Sequence, residues 1–468
     1  MQRLAAGVLL LLLAGAASAE LACNFNVSSD FAAAHGCDAQ CLAVLRHANA
    51  YDHAQVGTDF DFAFYATAGN FSGSPPGALL KLAPADPAPL SVRPGTTVFR
   101  MQYTSLDLDG TTRVPATGFV AFPYAPLRCT YPVVAFAHGT VGVYPGCAPS
   151  SGPALFDYDT WQPLLARGYA VVATDYAGLG NNATLHKYCS FPAQAHDVYY
   201  AMVAARAAFG HVLRREWLAV GHSQGGGAVW KLAESAALLG SETRHYLGTV
   251  ALAPATRIVD MAVAGFLDSS AGSGGDDADT GGGGFASYAP SLAIGLQRYQ
   301  PSYNLTLLGP TMRRRMAIAE RAQTCATALA GLTLDLSLDE VVSLDGAVDD
   351  LALMQKWQNE TAPSEGRAWA PLLVVQGLND TSILPATTRD AVERACRGGN
   401  AVQLSLYPGV EHSPLVAASA PEWLSWIDAR FAGQPLAGNC STVTRAPFGH
   451  GAYMKLPPED DLKEEYGL

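Results

Sequence analysis

Positive charge is scarce in this chain of 468 residues: 29 lysines and arginines stand against 41 aspartates and glutamates, for a formal net charge of −12. Binding to nucleic acid needs a basic face that neutralises phosphates, so no nucleic-acid partner is expected. Long apolar runs are also scarce. One occupies residues 4–14, behind Arg3 and ahead of the small-residue ending Ala17-Ser18-Ala19. A membrane-spanning helix takes about 20 apolar residues, and this run is too short and wrongly flanked. It reads as a signal peptide over 1–19, cut before Glu20. No later stretch is long and apolar enough to span, so a secreted, extracellular protein without a transmembrane segment is expected. Metal and redox spacings are missing too. The nine cysteines include the close pair Cys37 and Cys41, which lacks the C-x-x-C spacing of a zinc knuckle or a thioredoxin-like site. No metal and no organic cofactor are expected. Outside the cell these cysteines default to disulfides, with at least one thiol left over because the count is odd. Sequons at Asn26, Asn70, Asn182, Asn304, Asn359 and Asn439 suit a secreted glycoprotein. A further sequon, Asn379, follows a buried strand and is expected to carry no glycan.

What the chain does have is an alternation of continuous apolar runs and helix-like stretches. Strand-like runs fall at 96–107, 117–123, 132–139, 169–178, 217–223, 247–255, 371–377 and 402–409. Helix-like stretches fall around 154–167 and at 193–209, 226–239, 386–397 and 421–431. Apolar strands alternating with amphipathic helices predict an α/β fold: a mostly parallel sheet covered on both faces. The first two strands follow one another without a helix, so the sheet is expected to begin antiparallel. The organisation that follows is an N-terminal extension over 20–95 packed on the body, a core over 96–255, an insertion over 256–365, the rest of the core over 366–435, and a tail over 436–468. The extension closes in a proline- and alanine-rich loop. The insertion combines a glycine-rich tract, 271–284, with helical, partly apolar stretches, in the place where a lid over a site would sit.

The run "WLAVGHSQGGG" carries the chemistry. Gly221-His222-Ser223-Gln224-Gly225 fits G-x-S-x-G, a strand-turn-helix elbow that exposes a serine. With 46 glycines in the chain, roughly 0.3 such pentads arise by chance, so context must support it. Ser223 stands at the end of a strand, where ligands of such sheets bind. A serine hydroxyl needs a base within hydrogen-bond reach and an acid that orients the base. Three histidines follow the serine. His245 precedes a strand, at the wrong edge of the sheet, and His450 lies in the polar tail. His412, in the loop after 402–409, is the candidate base. Asp380, just beyond the strand 371–377, is the candidate acid, because Glu411 is too close in sequence to His412 to turn onto its ring. The backbone N–H groups of Gln224 and Thr140 are the candidate oxyanion donors, Thr140 because it lies in the loop "AHGTVG" after an early strand.

Taken together, "AHGTVG" with "CAPS", "DYAGLG", "GHSQGG", "QGLND" with Pro385, and "GVEHS" resemble the secretory lipase family of the α/β-hydrolase superfamily, which includes fungal and bacterial extracellular lipases. The resemblance covers about 95–435. It implies an α/β-hydrolase fold, a Ser223–Asp380–His412 triad, a helical lid over 256–365, and hydrolysis of lipid esters such as triacylglycerols with transient contact at a lipid interface. The acidic end "PPEDDLKEEYGL" lies outside it, and the glycine-rich tract gives no basis for carrying over an acyl-chain preference. A serine peptidase of the same fold and a non-catalytic binding module are the other readings. The first would need an acidic cluster for a peptide amino terminus, and none is evident. The second would usually lack a triad member.

Overall fold

A computed structural model describes residues 20–241, 244–270, 286–436, 438–449 and 453. The segment expected to be a signal peptide, the glycine-rich tract and the acidic end lie outside them. The alternation seen in the sequence has a direct structural meaning in strand β4 (Tyr131–Ala137). Successive side chains of a strand point to opposite faces. Here Val133, Ala135 and Ala137 join one apolar cluster while Val134 and Phe136 join another on the opposite face. Strand β8 (Leu372–Gly377) repeats this, with Leu372 and Val374 on the first face and Leu373 and Val375 on the second. A strand buried on both sides is apolar along nearly all its length, which is why these runs do not alternate with polar residues.

The remaining strands are β1 (Leu79–Pro84), β2 (Thr97–Leu106), β3 (Arg113–Phe122), β5 (Ala170–Thr174), β6 (Leu213–His222), β7 (Tyr246–Leu252), β9 (Val402–Tyr407) and β10 (Cys440–Thr444). They form one ten-stranded sheet in the order β1-β2-β3-β5-β4-β6-β7-β8-β9-β10. The antiparallel start is present: β1 pairs with β2, β2 with β3 and β3 with β5 in antiparallel fashion, and the ladders from β5 to β10 are parallel. Helices Phe191–Phe209 and Gln224–Ala233 cover the first face; Gln162–Ala166 and Ala420–Phe431 cover the second, with Trp161 and Trp423 buried beneath. Among the described residues no helix is long and apolar enough to cross a membrane.

Three local expectations need correction. The proline- and alanine-rich loop contains β1, an edge strand ending at Pro84, a position where a missing N–H costs no ladder bond. The stretch around 154–167 is mostly turns: Leu155, Phe156 and Asp159 have positive φ, and the helix starts only at Gln162. Asp157 Oδ1 accepts from the N–H groups of Thr160, Trp161 and Gln162, so the acid organises a turn rather than a helix interior. The tail, finally, contributes β10, which pairs with β9 and is tied down by the Cys396–Cys440 disulfide.

The residues before β1 pack largely on the helices between β7 and β8. Helix Ala39–Val56 lies against helix Ala326–Gly331, whose first N–H groups, from Thr327 and Ala328, donate to the Asp52 carboxylate. Arg315, from helix Pro310–Ala322, is buried and donates to Gly36 O, Leu332 O and both oxygens of Asp335. A planar guanidinium with every partner in place is well suited to such a junction. The Cys147–Cys325 disulfide fastens the same helical region to the loop after β4, and Cys37–Cys41 closes the turn at the start of Ala39–Val56. Among the described residues Cys23, Cys129 and Cys189 are free thiols, and Cys23 and Cys189 are buried.

Candidate active site

Strand β6 runs straight into Ser223, which has φ 56 and ψ −121, and helix Gln224–Ala233 starts at the next residue. A non-glycine residue at positive φ is strained, typically by about 1–3 kcal/mol, and persists only where its surroundings enforce it. Those surroundings are visible: the Ser223 N–H donates to Leu252 O (2.9 Å), and its carbonyl accepts from Gly227 N (3.2 Å) and Ala255 N (3.0 Å). The flanking glycines make the turn sterically feasible. A Cβ on Gly221 would lie 2.2 Å from Gly225 O, and one on Gly225 would lie 2.0 Å from Ala137 O. The first approach lets the helix fold back on its own strand, and the second lets it press onto β4. The G-x-S-x-G spacing thus follows from backbone contact.

Two loops at the same edge bring the expected partners together. His412 lies between β9 and helix Pro414–Ala418, and Asp380 lies in the turn after β8. His412 Nδ1 is 2.8 Å from Asp380 Oδ2, with the carboxylate fully buried. Asp380 Oδ1 accepts from the N–H groups of Ser382 (2.9 Å) and Ile383 (2.7 Å), and Oδ2 also accepts from Gln376 Nε2 (3.0 Å). Gln376 is held in turn by Thr388 Oγ1, which donates to its Oε1 at 2.7 Å. Sequence reasoning missed Gln376. Its signal was a lone polar side chain in the apolar run "LLVVQG", a placement tolerated only with its hydrogen bonds satisfied. Glu411 is exposed, and His245 stands beside the opening residue of β7, at the opposite edge. His450 lies outside the described residues. Asn379 is exposed, contrary to the expectation from the buried strand before it, and its Oδ1 accepts from Gly409 N (3.1 Å).

Thr140 and Gln224 border the same cleft as Ser223, whose apolar wall is formed by Ile258, Met261, Leu292 and Ile383. A Cβ on Gly139 would sit 3.5 Å from that of Ser223, so the loop carrying Thr140 passes directly over the serine. Thr140 Oγ1 is 3.0 Å from the Tyr188 hydroxyl, whose pKa burial pushes well above its ordinary value. The Gln224 side chain donates to His186 Nε2 (3.2 Å). Burial, with Arg298 nearby, holds His186 well below the usual histidine range, so its other nitrogen keeps the proton and donates to Ala177 O. Arg298, in helix Ala289–Tyr299, donates to both Val143 O (2.6 Å) and His186 O (2.9 Å). His138, pushed down to about 4 by burial, is neutral and accepts the Tyr176 hydroxyl on its carbonyl.

Two other motifs prove to be a brace. Asp175 of "DYAGLG" accepts from the Ser150 N–H (2.8 Å), Ser150 Oγ (2.5 Å) and Thr117 Oγ1 (2.7 Å), so "CAPS" is pinned to the end of β5. The Ser150 hydroxyl is committed to that carboxylate and to Tyr65.

The sheet order, the elbow and the loops gathered at its edge define the α/β-hydrolase class. Residues 140–417, more than half of the chain, match the family model described as "Hydrolase_4: Serine aminopeptidase, S33", and the chain belongs to that family. It is 25% identical over 419 residues to Lipase 10 of Candida albicans, spanning 82% of this chain and 83% of that one. Its fold matches that of Candida antarctica lipase A with a TM-score of 0.62 at 17% identity, over 83% of this chain and 89% of that one. It also matches the rice cell wall degrading esterase LipA from Xanthomonas oryzae, with a TM-score of 0.60 at 20% identity over 77% of this chain and 100% of that one. The chain is a lipase-like α/β-hydrolase, as its motifs implied.

Proposed function

We propose that the protein is a secreted serine hydrolase that cleaves carboxylic esters, most suitably acylglycerols or other lipid esters. Ser223 is the nucleophile, His412 the general base, and Asp380 the group that fixes the His412 tautomer. In the acylation step His412 Nε2 takes the proton from Ser223 Oγ as the oxygen attacks the ester carbonyl. The same proton then passes to the departing alcohol, and water repeats the sequence on the acyl-enzyme to release the acid. The N–H groups of Gln224 and Thr140 receive the oxyanion.

The observation that carries the choice of ester is the cleft wall. Beside Ser223 it presents Ile258, Met261, Leu292 and Ile383, and none of its described lining residues is a carboxylate. Removing a peptide's N-terminal residue calls for an anion to hold the α-ammonium, because a buried unpaired charge is strongly unfavourable. An apolar wall suits an acyl chain instead. Ile258 and Met261 come from helix Ile258–Ser270, and Leu292 comes from Ala289–Tyr299. The insertion thus supplies three of the four apolar wall residues, Ile383 coming from the turn after β8, and we read it as a lid. Within the insertion Tyr288 and Leu292 border the cleft, whereas Leu308 bridges to Val342 instead.

Nitrophenyl esters of rising chain length, assayed beside aminoacyl nitroanilides, test the proposal. Esters should turn over and the amides should not, with rates rising as a sparingly soluble ester passes its solubility limit, because an apolar face uncovered by lid movement is better accommodated at a lipid interface than in water. Turnover of the amides with silent esters would establish the peptidase; silence on both would establish a binding module. Ester turnover with no rise at the interface would leave a plain esterase.

A further inference from the structure

His222, the first of the two variable positions of the elbow, is buried although it is polar, and the acyl-transfer steps above do not use it. Its ring touches the candidate base: the His222 and His412 ring centroids are 4.5 Å apart at an interplanar angle of 41°. Both ring nitrogens have partners. Nε2 lies 3.3 Å from the His412 carbonyl oxygen, and Nδ1 lies 2.8 Å from the Tyr158 hydroxyl. A carbonyl oxygen can only accept, so Nε2 carries the proton. A neutral ring then has a bare Nδ1, and the Tyr158 hydroxyl must donate to it. Burial, with His412 adjacent, keeps the His222 pKa well below the ordinary histidine value, which agrees with a neutral ring.

The geometry points to His222 as a positioning residue for His412, acting through its main chain while Tyr158 braces the His222 ring at Nδ1. The inference rests on His412 being the base. Asp380 holds a single atom of that base, Nδ1, and one hydrogen bond leaves the ring free to swing about it. The loop that carries His412 turns at Gly409, with φ 72. A donor on the His412 carbonyl, combined with a ring packed against its imidazole, removes that freedom and holds Nε2 toward Ser223 Oγ. Proton transfer needs the donor and acceptor within about 2.6–3.2 Å, so a small swing is costly. Tyr158 reaches the same place from the other side. A Cβ on Gly139 would lie 2.6 Å from its hydroxyl, and glycine at that position leaves room for the contact. A neutral His222 also avoids like-charge repulsion when His412 becomes an imidazolium.

Three variants, assayed on a short soluble ester, test this. His222→Phe keeps a flat ring but removes the donor. His222→Gln places an amide N–H near the position of Nε2. Tyr158→Phe removes the brace on the His222 ring without changing the fill of the core. The Phe variant should lose about 10- to 100-fold in kcat, the loss typical of an outer partner that orients a catalytic group, with KM within about twofold because the acyl wall is untouched. The Gln variant should recover most of that loss, and Tyr158→Phe should lose a smaller fraction of kcat with KM unchanged, at a modestly lower melting temperature because the buried Nδ1 loses its donor. Full kcat in His222→Phe, or equal losses in the Phe and Gln variants, would overturn the inference, since filling the core would then be the only role. If His222→Phe does not fold, Tyr158→Phe decides: reduced kcat supports the role and wild-type kcat overturns it. His412→Ala separates the two levels. Were it active, the triad itself would fail; were it inactive beside a fully active His222→Phe, only the role of His222 would fail.

Discussion

Replacing Ser223 by alanine should remove ester hydrolysis, with a loss of roughly 10⁴-fold or more in kcat, as is usual when a triad nucleophile is lost. The melting temperature should hold or rise slightly. The main-chain bonds to Leu252, Gly227 and Ala255 remain, and the hydroxyl is not needed to hold the turn. Strain at φ 56 is carried by the backbone and persists in alanine, so the variant separates chemistry from folding. A serine-directed organophosphate should label the wild type at Ser223 and leave Ser223→Ala unlabelled, as peptide mapping would report. Labelling at another serine, with activity retained in the alanine variant, would remove the mechanism. Ser150 makes the sharpest contrast, because its hydroxyl is already engaged by Asp175.

Asp380→Asn should have an effect of similar size through the base. The carboxylate has two distinct sides: Oδ1 faces the N–H groups of Ser382 and Ile383, and Oδ2 faces Gln376 Nε2 and His412 Nδ1. In asparagine the amide oxygen will take the side with the two fixed backbone donors. Its NH₂ must then face His412, and it can be accommodated only if Nδ1 accepts. That tautomer places the proton on Nε2, where the base must be bare to receive the Ser223 proton. A loss of about 10⁴-fold in kcat is expected from a wrong tautomer in an otherwise intact site, together with organophosphate labelling slowed in proportion. Stability should fall modestly, because Gln376 Nε2 also loses one of its acceptors. If Asp380→Asn labels at the wild-type rate, the acid lies elsewhere.

The parts of this molecule that could be read from its sequence are those set by local pattern. Continuous apolar runs marked β4 and β8 because both faces of each are buried, and the elbow showed through its glycines because backbone contact leaves no other choice there. The loops that carry His412 and Asp380 could be placed from strand order, which fixes the edge of the sheet on which a loop lies. What escaped depended on contacts distant in sequence. β1 is an edge strand supported by β2, and nothing in "LLKLAP" alone separates it from a loop. β10 exists because β9 and Cys396 hold it. Gln376, His222, Tyr158 and Arg298 are polar groups whose meaning comes from a partner far along the chain, such as the 190 residues between His222 and His412. The two motifs joined by Asp175 helped to carry the family resemblance and act as a brace. A motif records that positions work together and does not say whether they touch substrate or each other.

The Cys396–Cys440 link has a consequence for self-association. An open sheet ends in a row of unpaired N–H and C=O groups, and such an edge is a template for another chain. On this side of the molecule the outermost strand is β10, "CSTVT", largely exposed, with Ser441, Thr442 and Thr444 as hydroxylated residues. Directly beneath it is β9, "VQLSLY", with the buried and apolar character that stacks readily once bared. The disulfide ties β10 to the helix before β9, and so keeps a polar strand over an adhesive one. Reduction of this bond would leave the catalytic loops connected but uncover the edge, so light scattering should rise before ester turnover falls. An oxidising environment would thus protect this enzyme first from its own copies.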